Sequence, residues 1–214
     1  MTAVFIFTQR YILSFLVLST VAFAQDPIAA EKSANKLVVI LGDSISEGYG
    51  VASEKSYAKI LENRFKAESK KVSILNSSIS GSTSASATKR IQWIAKNKPQ
   101  FVIIELGAND ALRGLKPEET EKNLSAAIKS AKKQKIEVVL AGMKAPPNYG
   151  AEYTKKFESI YLNLSKKEKV RLIPFILDRV AGESDLNQSD GIHPNEKGHK
   201  VIADSLYLFL SSIL

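Results

Sequence analysis

Ser44 stands in Gly42-Asp43-Ser44-Ile45-Ser46, directly behind the apolar run Leu37-Val38-Val39-Ile40-Leu41. A short run of β-formers that ends in Gly-Asp-Ser reads as a buried strand delivering a hydroxyl to the lip of a sheet. Open α/β sheets carry their chemistry there, in the crevice at the strand carboxyl ends. A serine hydroxyl needs a base to take its proton before it attacks a carbonyl. The chain holds two histidines, His193 and His199. His193 lies in Asp190-Gly191-Ile192-His193-Pro194, three residues after Asp190. One turn suffices to set that carboxylate on the imidazole, where it fixes the tautomer and stabilises the imidazolium. The residue types suit acyl transfer, with Ser44 as nucleophile, His193 as base and Asp190 as orienter. Asp43 reads as a loop-structuring residue and not as the triad acid.

An acyl-transfer site also needs donors aimed at the developing oxyanion. Two further segments follow apolar runs: Asn76-Ser77-Ser78-Ile79-Ser80-Gly81-Ser82-Thr83-Ser84 and Gly107-Ala108-Asn109-Asp110. The backbone N–H groups of Ser44 and Gly81 and the side chain of Asn109 are the candidate donors. Gly81 has no side chain to keep a substrate oxygen away.

Taken singly, each segment has an ordinary structural reading. Gly42-Asp43-Ser44 closes a strand-to-loop turn, and Ser80-Gly81-Ser82 is a polar loop. Gly107-Ala108-Asn109-Asp110 is a turn with Asn in the left-handed region. Asp190-Gly191 is a hairpin signal and Asn195 a helix cap. His199 reads as a surface or packing residue of the last helix. Together, and in this order, the segments supply every part of a serine hydrolase at one sheet edge.

Rival chemistries lack their signatures. No Gly-x-Ser-x-Gly elbow is present. No Walker loop or Gly-x-Gly-x-x-Gly follows the first strand. Two histidines and no cysteine do not make up the ligand set of a zinc enzyme. Neither a metal nor a cofactor is implied.

The elements that must position these residues alternate. Strands are expected at Leu37–Leu41, Val72–Leu75, Phe101–Leu106, Val138–Ala141 and Val170–Phe175, each Val- and Ile-rich as in strands buried on both faces. Helical spacing lies between them. The faces are Tyr57/Ile60/Leu61/Phe65, Ile91/Ile94/Ala95, Leu124/Ala127/Ile128/Ala131, Phe157/Ile160/Tyr161/Leu164 and Val201/Ile202/Ser205/Leu206/Phe209. Pro117-Glu118-Glu119 suits a first helical turn. Alternation at this interval argues βαβ units, an α/β fold and a mostly parallel sheet with helices on both faces.

Residues 1–24 read as a secretory signal. Arg10 precedes the apolar stretch 11–21, and Ala22-Phe23-Ala24 offers a small-x-small cleavage site. The stretch is short for a bilayer span of ~20 residues, although an uncleaved anchor is the alternative because Val4–Phe7 is apolar as well. Residues 25–35 read as a disordered lead-in and 36–214 as one domain. Cysteine is absent, so disulfides and thiol nucleophiles are excluded. An exported chain without disulfides suits a bacterial periplasm or exterior. The net charge is +8, mostly lysine. Lys129/Lys132/Lys133/Lys135 and Lys166/Lys167/Lys169 read as solvated helix surface or as an attraction to anionic membrane or cell-surface polymer. The basic residues are not interleaved with aromatics, so nucleic acid is not expected as a partner.

The four blocks resemble those of the SGNH (GDSL) hydrolases, in which Ser, Gly, Asn and His carry the chemistry. The matching residues are Gly42-Asp43-Ser44-Ile45-Ser46, Gly81, Gly107-Ala108-Asn109-Asp110 and Asp190-Gly191-Ile192-His193-Pro194. Leu106 through Gly114 is similar to the third block of the bacterial periplasmic thioesterase I, lysophospholipase L1 and arylesterase group. Ala108 departs from it where a second Gly is common. The resemblance covers about residues 36–212. It implies a three-layer α/β/α, flavodoxin-like domain with five central strands. It implies Ser44, Asp190 and His193 as the triad, and Ser44, Gly81 and Asn109 as the oxyanion hole. It also points to Pro146, Pro147, Asn148, Tyr149 and Tyr153 as a substrate-side loop. The implied substrate is a small-molecule or lipid ester or thioester. A monomer is expected. The alternatives are a carbohydrate O-acetylesterase and a non-catalytic binding module on the same scaffold.

Overall fold

Five runs of Val, Ile and Leu form the strands of one sheet, β1 (Lys36–Leu41), β2 (Val72–Asn76), β3 (Phe101–Ile104), β4 (Glu137–Ala141) and β5 (Arg171–Ile173). The computed structural model describes residues 35–214 together with Met1, so the expected signal segment and nearly all of the expected lead-in lie outside the described residues. The strand order is β2-β1-β3-β4-β5, and every pairing is parallel. The chain leaves β1 toward one edge for β2, then returns past it to β3. A crevice opens where that order reverses, at the carboxyl ends of β1 and β3.

Among the described residues, seven α-helices accompany the sheet: α1 (Ser44–Glu47), α2 (Tyr57–Ala67), α3 (Ala87–Ile94), α4 (Ala108–Leu112), α5 (Pro117–Lys133), α6 (Ala151–Glu168) and α7 (Glu196–Ser211). Helices α3, α5 and α6 pack side by side in one layer, and α2 and α7 pair with each other. Most residues of the expected helical faces are buried, but on α7 the buried stripe is Ile202, Ala203, Leu206, Tyr207 and Leu210, and the expected Val201, Ser205 and Phe209 are only half-buried. Tyr57, Leu61 and Phe65 of α2 are fully buried, as are Leu124, Ala127, Ile128 and Ala131 of α5. Burying a large apolar side chain contributes roughly 1.5–3 kcal/mol. Phe65 meets Tyr207 of α7 with ring centroids 5.0 Å apart.

Several boundaries differ from the sequence expectation. β3 stops at Ile104, two residues early; the Glu105 N–H still donates to the Leu41 carbonyl at 2.9 Å, and Glu105 and Leu106, both buried, lead into the site loop. β5 is shorter than Val170–Phe175. β2 and β5, the sheet edges, are only partly buried, and Leu75 and Asn76 of β2 are exposed. An edge strand has a neighbour on one side only, so full burial does not extend to it. α3 closes at Ile94, and Ala95 begins a single 3₁₀ turn. The one-turn helices α1 and α4 are too short to show an apolar period. Among the described residues, no helix is long and apolar enough to cross a membrane.

Candidate active site

β1 runs straight into the Gly42-Asp43-Ser44 turn. Val38, Val39, Ile40 and Leu41 are wholly buried, so the strand end is fixed by packing. Gly42 is required by space: a Cβ there would collide with the side chains of Ser46 and Glu105. Asp43 caps α1, its carboxylate accepting from the Ile45 N–H at 3.1 Å. Ser44, half-buried, is the first residue of that helix.

The downstream loop meets Ser44 from the other side. His193 Nε2 lies 2.9 Å from Ser44 Oγ. His193 Nδ1 lies 2.7 Å from Asp190 Oδ2. The other Asp190 oxygen accepts from the N–H groups of His193 and Ile192, both at 3.0 Å. These donors, the His193 N–H foremost, hold the Asp190 carboxyl at about 2, well below its ordinary range. The loop is pinned by Gln188, whose amide donates to the carbonyls of Tyr49 and Pro194. Asn195 caps α7 through Lys197 and Gly198. Tyr49 lies against the imidazole, with ring centroids 4.7 Å apart.

Gly81 occupies a left-handed turn, φ +75°, where a Cβ would meet nothing closer than Arg113 at 3.7 Å. Its glycine is needed for the backbone and not for space. Three side chains hold this loop. Glu47 accepts from the Ser80 N–H at 3.1 Å, Arg113 donates to the Gly81 carbonyl at 2.9 Å, and Asn109 donates to the Ser82 carbonyl at 3.1 Å. Asn109 also donates to Asp43 Oδ2 at 3.2 Å. Its amide therefore faces the loops beside Ser44 with both hydrogens engaged. The N–H groups of Ser44 and Gly81 donate to no group among the described residues.

Beneath Ser44 lies a buried polar cluster. Asp43 is pushed up to about 6 by burial. Burial and the neighbouring Asp43 push Glu105 well above the usual carboxylate range. Glu105 accepts from the Ser46 hydroxyl, which also meets Tyr57. Arg90 donates to the Gly42 and Ser77 carbonyls and ties α3 to the base of both loops. His199 is fully buried in α7, and its Nδ1 accepts from the Tyr57 N–H at 3.3 Å. Of its two sequence readings, the packing one holds. Burial lowers it to about 4.

A cavity of about 630 Å³ opens beside Ser44 and His193. Leu112, Met143, Ala145, Pro146, Pro147, Phe175, Leu177 and Ile192 give it an apolar wall. Of the residues expected on the substrate-side loop, Pro146 and Pro147 line this cavity. Asn148, Tyr149 and Tyr153 are not part of the lining. Tyr149 and Tyr153 instead donate their hydroxyls to the Leu112 and Leu115 carbonyls, at the end of α4 and in the turn that follows it. Phe175, Leu177 and Ile192 take the place expected of those aromatics. Arg113 and Glu47, the two ties on the Gly81 loop, were not singled out from the sequence. The signal for Arg113 is its place four residues after Asn109, one turn on, as the residue that closes α4.

The chain matches the GDSL-like Lipase/Acylhydrolase family over residues 40–201. It is 34% identical over 188 residues to the Esterase TesA of Pseudomonas aeruginosa, covering 87% of this chain and 94% of that one. It is 35% identical over 196 residues to the Thioesterase 1/protease 1/lysophospholipase L1 of Escherichia coli, covering 91% of this chain and 89% of that one. Among solved structures, the psychrotrophic esterase EstA from Pseudoalteromonas sp., inhibited by monoethylphosphonate, aligns with a TM-score of 0.80. That match is 36% identical and covers 83% of this chain and 97% of the other.

Proposed function

Because this chain belongs to the GDSL-like lipase/acylhydrolase family, we propose that it is a serine esterase that cleaves carboxylic esters and thioesters through an acyl-Ser44 intermediate. The observation that carries the reading is the continuous line of contacts from Asp190 through His193 to Ser44.

His193 Nε2 takes the Ser44 proton as Oγ forms its bond to the substrate carbonyl carbon. The negative charge moves to the carbonyl oxygen, which the N–H groups of Ser44 and Gly81 receive. Asn109 joins them by turning one of its hydrogens from Asp43 or Ser82. Asp190 holds the imidazolium. The bond to the leaving oxygen or sulfur then breaks, and His193 returns the proton to that atom. A water, deprotonated by His193, attacks the acyl carbon; the bond to Ser44 Oγ breaks, His193 returns the proton to Oγ, and the acid is released. An apolar wall beside the nucleophile suits an acyl chain, which favours aryl, lysophospholipid and thioester substrates over short O-acetyl groups.

The same reading takes 1–24 as an export signal, 25–35 as a lead-in and 36–214 as one hydrolase domain. It places a monomer in the periplasm or outside the cell. Hydrolysis of p-nitrophenyl esters tests the assignment. Ser44→Ala and His193→Ala each lower kcat by at least about a thousandfold, and near-wild-type turnover by either variant rejects the roles of nucleophile and base.

A further inference from the structure

We infer that the strand-entry edge of the sheet, around Lys98, Lys135 and Lys169, is a docking surface for an anionic phospholipid bilayer. This edge lies at the opposite end of the strands from Ser44, and the inference does not rest on the catalytic reading.

The first observation is charge. The segments 129–137 and 166–171 close α5 and α6 and open β4 and β5. They carry eight cationic side chains against two acidic ones. Lys133, Lys135, Lys166, Lys167 and Lys169 make no ion pair among the described residues. At the site end, residues 178–196 carry five acids against one arginine. The entry edge is therefore strongly cationic where the loop 178–196 at the site end is acidic, and an anionic plane attracts that edge in preference to the loop.

The second observation is backbone conformation. Three successive turns into β3, β4 and β5 pass through a left-handed residue, and each time it is lysine: Lys98 at φ 50°, Lys135 at 60° and Lys169 at 50°. Glycine relaxes such a helix-ending turn at no steric cost. The turn itself has no need of lysine, and all three side chains are exposed. Between the β4 and β5 turns lies an open groove of about 630 Å³, walled by Lys132, Lys135, Lys169 and Arg171.

The chemistry favours a bilayer over nucleic acid. Seven of the eight cations are lysine, and neither segment contains an aromatic residue to stack on a base. Ammonium groups on flexible stems act as point charges, which suits headgroups that move laterally. Docked this way, the cavity beside Ser44 faces away from the bilayer and takes its substrate from the aqueous side.

Sedimentation of the purified chain with vesicles tests this. With phosphatidylcholine vesicles containing one third phosphatidylglycerol, the wild type binds at low ionic strength and is released by salt. The triple variant Lys98→Gly, Lys135→Gly, Lys169→Gly binds roughly a hundredfold more weakly. Its Tm is equal or higher, and its esterase kcat/KM is unchanged. Lys133→Gln, Lys166→Gln, Lys167→Gln, which leaves the turns intact, weakens binding in the same direction. Ser44→Ala binds as the wild type does. The proposal fails if the wild type ignores anionic vesicles at low salt. It also fails if it binds pure phosphatidylcholine equally, if both triple variants bind undiminished, or if duplex DNA displaces the vesicles at equal charge.

Discussion

Asn109 Nδ2 donates to Asp43 Oδ2 across 3.2 Å and so ties the loop after β3 to the loop after β1. The other Asp43 oxygen receives the Ile45 N–H at the start of α1. One buried carboxylate thus sets both the residue beside Ser44 and the side chain proposed to meet the oxyanion.

Asp43→Asn leaves an acceptor for Ile45 but turns a second NH₂ group toward Asn109. We expect kcat to fall about 10- to 100-fold with KM little changed, since an oxyanion donor is misaimed. Stability moves the other way. Burial raises Asp43 to about 6 from an ordinary 3.8, so the folded state holds the proton more tightly than the unfolded chain. Wild-type stability therefore falls as pH rises from about 4 to 6. On going from pH 4 to pH 8 the stability difference therefore shifts in favour of Asp43→Asn, measured by urea unfolding at the two pH values.

Arg113 acts through the Gly81 carbonyl, 2.9 Å from its guanidinium. Arg113→Met lowers kcat about 10-fold, the scale of one charge-assisted hydrogen bond, and leaves KM within about twofold. Added guanidinium restores part of the loss. A rise in KM alone makes Arg113 a substrate contact instead.

His199 contributes an acid-sensitive term. Burial lowers it to about 4 from 6.5, so the unfolded chain binds the proton first as pH falls. Its stabilisation is present at neutral pH and is lost between about 6.5 and 4. A shift of that size corresponds to about 3 kcal/mol. The stability gap between the wild type and His199→Gln narrows by that order on going from pH 7 to pH 4, with activity at pH 7 largely kept.

The cavity wall sets chain length. Each methylene of an acyl chain that leaves water there gains about 0.8 kcal/mol, so kcat/KM rises along a p-nitrophenyl ester series until the cavity of about 630 Å³ is filled. Leu177→Trp shortens the optimum. A peak at acetyl that collapses with longer chains favours the carbohydrate O-acetylesterase alternative.

Much of this arrangement is legible in the residues. Runs such as Val38–Leu41 are buried strands, and the spacing of Tyr57, Leu61 and Phe65 is a buried helical face. Asp190 and His193 meet because three residues of one turn bring them together, which spacing alone conveys. The opposite case is Tyr149 and Tyr153. Their composition suggests a pocket wall, yet their hydroxyls donate to the carbonyls of Leu112, the last residue of α4, and Leu115 beyond it, and neither ring lines the cavity. That choice depends on where α4 ends in space. Glu105 is hidden for the same reason: in sequence it follows a strand, and only the packing of Ser46 and Asp43 shows that its carboxyl is buried.

The most direct test is labelling by a fluorophosphonate probe, with the modified residue located by mass spectrometry. One adduct is predicted, on Ser44, absent in Ser44→Ala and formed far more slowly in His193→Ala. An esterase-active wild type that stays unlabelled, or that carries the label on another residue, contradicts the assignment of Ser44 as the nucleophile.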